Sequence, residues 1–186
     1  MSTTTLPETV TAYLRPIDSE GLAKFAEKGR NNPDMQGTNK VHTVCEGQYR
    51  TINKVGSHDV IVDEPLHLFG EDTAPAPGEI VLSGLGGCLA VGITAVATWK
   101  KVQITKLELF LEGDIGNPAA WGAGGADTPP GNMGFQDIRV KVLIEGDATD
   151  DELDEIVKHA NHYSPVANTM RNPIGFNIAK LNSESA

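Results

Sequence analysis

The sequence predicts an α+β domain, with antiparallel sheets and helices on one side of them. Two segments alternate apolar with charged or aromatic residues at period two: Leu107, Leu109 and Leu111 against Lys106, Glu108, Phe110 and Glu112, and Ile138, Val140, Val142 and Ile144 opposite Arg139 and Lys141. Between the first strand-like residues and these two lies a run of twenty residues, 80–99, without a charge, long enough for a helix that is apolar all round. Downstream, Thr149 and Glu152 form a capping box ahead of Leu153, Ile156, Val157 and Ala160, which recur at helical spacing.

Each element follows in order. The first forty residues read as a tail and a short amphipathic helix. Asp18 or Ser19 caps that helix, Leu22, Phe25 and Ala26 lie on one face, and Asn31-Asn32-Pro33 stops it. Residues 41–55 and 59–63 are strand-like, separated by a turn at Gly56-Ser57. Residues 71–78 form a loop rich in Pro and Ala, and the uncharged helix follows. The two period-two strands are joined by residues 116–134, dense in Gly and Pro, a long loop suited to a lid, a dimer contact or a surface insertion. The capped helix ends near His162. Ser164-Pro165 then opens another, with Ser as N-cap and Pro at the first helical position. A last strand over 174–181 closes the domain. The organisation expected is a tail with a short helix (1–40), one domain (41–181) and a C-terminal tail (182–186).

Composition narrows the function. A chain of 186 residues with 39% apolar content fills one core. The net charge of −10, with few and scattered basic residues, disfavours nucleic acid and anionic membrane surfaces. Residues 1–10 show neither a basic n-region nor an apolar h-region, so no secretory signal is readable and a cytoplasmic location is expected. Residues 80–99 match a membrane span in length, but Gly84, Gly86, Gly87, Gly92, Ser83, Thr94 and Thr98 interrupt them, and a buried helix is the reading taken. A helix apolar all round needs cover on every side, which in so short a chain points to a second subunit, and its glycines let another backbone approach closely.

The chain holds two cysteines, Cys45 and Cys88, with neither CxxC nor His/Cys ligand spacing, which argues against structural zinc and a disulfide scaffold. Cys88 stands inside the uncharged run. There it is either an inert core residue or a nucleophile shielded from water, depending on what stabilises its thiolate. His159 and His162 share a helical face but lack a third ligand at suitable spacing, so no metal and no cofactor are expected.

Several motifs in order carry a resemblance: Asp63-Glu64-Pro65; Pro77-Gly78-Glu79; Leu82-Ser83-Gly84-Leu85-Gly86-Gly87-Cys88-Leu89-Ala90; Gly134-Phe135-Gln136-Asp137-Ile138-Arg139-Val140; Gly146-Asp147-Ala148-Thr149; and Ser164-Pro165-Val166-Ala167-Asn168-Thr169-Met170. Over residues 41–181 the sequence resembles the OsmC/Ohr superfamily of osmotically induced and organic-hydroperoxide-resistance proteins. The resemblance implies an OsmC-like fold with antiparallel sheets around a long central helix, in an intertwined homodimer. It also implies that Cys88 attacks a peroxide oxygen and becomes a sulfenic acid, with Arg50 and Glu79 as the Arg and Glu that activate it. The family's resolving cysteine corresponds to Ser164, whose hydroxyl forms no disulfide, so an external thiol reductant would be required. Ser164 is also a candidate substrate-binding residue.

Beside this stand plainer readings. Arg50 reads equally as a solvated strand residue, Glu79 as an acid favoured at a helix N-terminus, and Cys45 as a small buried hydrophobe. On a straight helix Glu79 and Cys88 are separated by about 13.5 Å of rise and about half a turn, and do not meet. Two functions are expected from these residues. One is thiol-dependent reduction of an organic hydroperoxide through Cys88, in oxidative stress defence. The other is a non-catalytic dimer that binds a small hydrophobic molecule at its interface.

Overall fold

A computed structural model describes residues 14–15, 17–116 and 133–181. Helix α1, Ser19–Asn31, starts where the Asp18 carboxylate accepts the Glu20 N–H at 3.1 Å, and Asn32 closes it. It rests against the long central helix. Strands β1 (His42–Gly47), β2 (Arg50–Val55) and β3 (His58–Val62) form an antiparallel meander in that order. The strand-like stretch 41–55 is thus two strands, folded back at Gln48-Tyr49, where Gln48 takes φ 45°. Neither Asn-Gly nor Asp-Gly marks this turn, so the sequence lacked the usual two-residue hairpin signal. The turn at Gly56-Ser57 falls where expected, with Gly56 at φ 61°.

Helix α2, Pro77–Lys100, contains the whole uncharged run and ends at Lys101, which adopts a left-handed conformation. Strands β4 (Ile104–Ile115) and β5 (Phe135–Gly146) pair as an antiparallel ribbon. Leu107 faces Ile144, Leu109 faces Val142 and Leu111 faces Val140, so period two turns one apolar face of the ribbon toward the helices. Residues 117–132 of the long loop between them lie outside the described residues. Helix α3, Asp150–Tyr163, carries the reciprocal capping box, with Glu152 accepting the Thr149 N–H at 2.9 Å. Helix α4, Pro165–Arg171, follows directly.

The core lies between α2, α3 and the ribbon. Ile93 and Ala97 of α2, Ile104, and Leu153, Ile156 and Ala160 of α3 form one buried cluster. Ile156 is fully enclosed, a burial worth about 1.5–3 kcal/mol. Gly92 lets the two helices come together: a Cβ there would sit 3.2 Å from that of Ala160. A second cluster joins Leu85, Leu89 and Ala167, with Leu109, Leu111 and Ile138 packed on it. The buried positions of α2, Leu85, Leu89, Ile93 and Ala97, all lie at spacing four. This chain therefore covers one stripe of α2. Among the described residues its opposite side is open: Val91 is 68% exposed, and nothing lies within 4 Å of where a Cβ on Gly84 or Gly87 would be.

Two expectations are corrected. Residues 174–181 do not form a strand; they run without sheet pairing, and Ile174, Phe176 and Ile178 are exposed. An apolar segment of extended pattern becomes a strand only where a free edge accepts its N–H and C=O groups, and among the described residues it pairs with none. Cys45 is exposed on β1, at the edge of the three-stranded sheet, so it is not a buried hydrophobe here.

The crossing from β3 to α2 is fixed by a buried carboxylate. Asp63, 0% exposed, accepts the Glu64 N–H at 2.8 Å, the Thr73 N–H at 3.1 Å and the Thr73 hydroxyl at 2.7 Å, while its own N–H donates to Pro75 O. The Thr73 hydroxyl bond, foremost, holds the Asp63 carboxyl below the usual carboxylate range. Neighbouring Glu64 is also buried, and its carboxyl is pushed up by desolvation and then by the negative charges of Asp63 and Glu79. The loop is tight as well, since a Cβ on Gly70 would lie 1.8 Å from Glu64 O.

These two carboxyls predict opposite pH signatures. Asp63, with its lowered value, adds stability above the unfolded carboxyl range that is lost as pH falls. Glu64, with its raised value, costs stability that grows as pH rises from the unfolded carboxyl range toward that value and is full above it. Asp63→Asn is expected to lower the thermal midpoint by several degrees at neutral pH, with the deficit shrinking toward acid. Glu64→Gln is expected to raise the midpoint by a few degrees at neutral pH, with the gain vanishing in acid. Thermal unfolding monitored between acid and neutral pH checks both, and midpoint differences that do not change with pH would count against this account.

Candidate active site around Cys88

Spacing on α2 decides how far Cys88 is buried. Relative to the stripe of Leu85 and Leu89, Cys88 is turned by about 60° from the first and about 100° from the second. It therefore sits at the margin of the stripe and is half-buried. Leu85 and Leu89 make the adjoining wall apolar, and Ala167 of α4 packs on both. Helix α4 runs against α2 here because α3 ends at Tyr163 and Ser164-Pro165 turns the chain at once into a new helix. Pro165, with φ preset and no N–H to satisfy, suits that first position.

This turn brings Ser164 to the cysteine. The Ser164 hydroxyl donates to Cys88 Sγ at 3.2 Å and accepts the Ala167 N–H at 3.2 Å, and Ser164 is 2% exposed. The N-cap read from the sequence is present, and it is also the group in contact with sulfur. Both cysteines are free thiols.

Arg50 and Glu79 lie in a different neighbourhood. Arg50 on β2 donates through Nε to Glu46 at 2.8 Å and through Nη1 to the Thr73 hydroxyl at 2.7 Å, which in turn donates to the Asp63 carboxylate. The guanidinium thus ties the β1–β2 hairpin to the loop before α2. Glu79 lies in the first turn of α2, where its Oε2 accepts the Ala76 N–H at 2.8 Å and its charge reaches Glu64. Helix α2 is continuous from Pro77, so the separation of about 13.5 Å between Glu79 and Cys88 stands, and neither Arg50 nor Glu79 is hydrogen-bonded to the sulfur of its own chain. Asp63 and Thr73, the centre of this network, were given no role from the sequence. The signal available was a pair of adjacent acids, Asp63-Glu64, at the end of an apolar strand.

His159 and His162 are accounted for by Tyr163, with ring centroids 4.6 Å and 4.7 Å from it respectively. Among the described residues no three His, Cys, Asp or Glu side chains group in a way that would hold a metal ion. Beside the Cys88 wall, Val81, Leu85, Leu89, Ile138 and Met170, with the charged Asp137 and Arg171, line an open groove of about 460 Å³. Arg171 is held there by the carbonyl and side-chain oxygens of Asn161.

The fold is that of several solved structures. An OsmC-like protein from Mycoplasma pneumoniae aligns with a TM-score of 0.61 at 19% identity, over 74% of this chain and 89% of its own. An organic hydroperoxide resistance protein from Elizabethkingia anophelis, with thiocyanate bound, aligns at 0.56 and 18% identity over 74% and 91%. An organic hydroperoxide resistance protein OsmC from Legionella pneumophila aligns at 0.52 and 19% identity over 74% and 91%. No curated protein matches the sequence significantly. Residues 70–179, which include α2, the ribbon, α3 and α4, match the family described as OsmC-like protein. With the sequence match over more than half its length and the shared fold, the chain belongs to the OsmC-like protein family.

Proposed function

We propose that this protein reduces organic hydroperoxides with a single reactive cysteine, Cys88, in a reducing, cytoplasmic setting where an external thiol completes each cycle. The observation that carries the reading is the position of the Cys88 sulfur, half-buried beside apolar Leu85 and Leu89 and hydrogen-bonded by Ser164. An apolar wall suits the organic part of a hydroperoxide, and partial burial limits competition from water. The names of two structural relatives, both organic hydroperoxide resistance proteins, agree with it.

In this reading the Cys88 thiolate attacks the outer peroxide oxygen. The S–O bond forms as the O–O bond breaks, and the alkoxide leaves as an alcohol after taking a proton. Sulfur is oxidised to a sulfenic acid and the peroxide is reduced. One external thiol condenses with the sulfenic acid, releasing water and leaving a mixed disulfide. A second thiol then displaces Cys88, regenerating it and forming the external disulfide.

We further propose that the working unit is a homodimer. The open side of α2, the exposed strand β1 and the exposed apolar residues of 174–181 are the surfaces a second copy would cover. Arg50 and Glu79, remote from Cys88 in one chain, would then serve the sulfur of the other, with Glu79 holding the guanidinium in place. The apolar groove along Val81 and Met170 favours a second reading, a binder of small hydrophobic molecules that does no thiol chemistry.

Consumption of an organic hydroperoxide in the presence of a monothiol or dithiol is expected for the wild-type protein and for Cys45→Ser, and is expected to fall to background in Cys88→Ser. A folded wild-type protein without turnover under any reductant would favour the binder. Light scattering of the eluting protein is expected to give the mass of a dimer, and Val91→Glu, which places a charge on the open side of α2, is expected to shift that mass toward the monomer. A wild-type monomer would refute the dimer.

A further inference from the structure

The resemblance sets Ser164 at the position of a second thiol, and its surroundings in this structure give it a task of its own. A hydroxyl carries one proton and two lone pairs. One lone pair is taken by the Ala167 N–H, the capping bond of α4. The proton and one lone pair remain, and at 2% exposure the proton has little access to water. The acceptor in reach is Cys88 Sγ at 3.2 Å. The capping bond also fixes the oxygen, since turning the side chain about Cα–Cβ away from sulfur would sacrifice the bond to Ala167. Neutral thiol sulfur is a weak acceptor, whereas an anionic one receives a charge-assisted bond that is roughly twice as strong.

Building on the peroxidase reading, we propose that Ser164 is a catalytic residue whose hydroxyl donates to the anionic Cys88 sulfur before attack and to the sulfenic acid after it, so that the oxidised cysteine is held for an external thiol instead of closing an internal disulfide. The balance of the cycle is unchanged, because the serine proton is shared and not transferred. What changes is the oxidised resting form: a sulfenic acid, then a mixed disulfide, both on Cys88 alone.

The test uses the full-length protein in a Cys45→Ser background, so that Cys88 is the one thiol. Its alkylation by iodoacetamide is followed across pH in Ser164→Ala, Ser164→Gly and Ser164→Thr, with folding checked by circular dichroism. Gly is included because it costs a helix cap only a few tenths of a kcal/mol relative to Ser. Loss of the hydroxyl is expected to slow alkylation at neutral pH about tenfold and to move its pH profile upward, while Thr, which keeps the hydroxyl, restores both. Equal rates and profiles in the folded Ala or Gly variant would overturn the proposal, leaving Ser164 a cap alone.

Oxidation is read separately. After one equivalent of organic hydroperoxide the Ser164 protein is expected to yield a dimedone adduct on Cys88, whereas Ser164→Cys loses both thiols to an internal disulfide. A dimedone-reactive Ser164 protein whose adduct yield is unchanged in the Ala and Gly variants would overturn the role after attack. If hydroperoxide leaves Cys88 untouched while alkylation still slows without the hydroxyl, the peroxidase reading fails and the sulfur contact of Ser164 stands.

Discussion

The absence of charge over twenty residues of α2 is the constraint to which the rest of the chain answers. A helix apolar on every side has no face to give to water, so each neighbouring element is placed to cover part of it. The ribbon β4–β5 lies along it, α3 packs through the Gly92–Ala160 approach, and α4 closes over Leu85 and Leu89. All of this falls on one stripe, leaving Val91, Gly84 and Gly87 bare, and that imbalance is the physical ground for the proposed second copy. The same helix has the length and apolarity of a membrane span, yet its buried stripe is sealed by protein side chains.

Helix α2 also sorts the chemistry. Its first turn meets the polar network of Arg50, Thr73 and Asp63, joined through the charges of Glu64 and Glu79. Its middle holds the thiol in apolar surroundings, with one hydroxyl for a partner. Nine residues of unbroken helix keep the two apart.

Much of this was legible in the sequence because local physics dictated it. The capping box at Thr149 and Glu152, the Ser164-Pro165 helix start, the period-two ribbon and the uncharged helix all appear where their patterns put them. The hairpin at Gln48-Tyr49 was missed because its turn residues are chemically ordinary. Residues 174–181 have the composition of a strand, but pairing depends on an edge that no local pattern specifies. At the site, Cys88 and the capping role of Ser164 were visible, and the bond between them was not. A contact across seventy-six positions depends on how α3 and α4 turn, which is settled by packing.

The ribbon and the helix it covers share a dimension. Twenty-four residues of α2 rise about 36 Å, and twelve residues of β4 extend about 40 Å, so two different backbone periodicities are matched end to end. Such commensurability leaves no slack. One residue inserted between Leu85 and Cys88 would turn the sulfur, with Leu89, Ile93 and Ala97, by about 100° relative to Leu85 and the first turn, so one half of the helix or the other would lose its contacts in the core. Changes in length within this part of the chain are therefore changes in phase, and the element that carries the thiol is the one least free to vary in size.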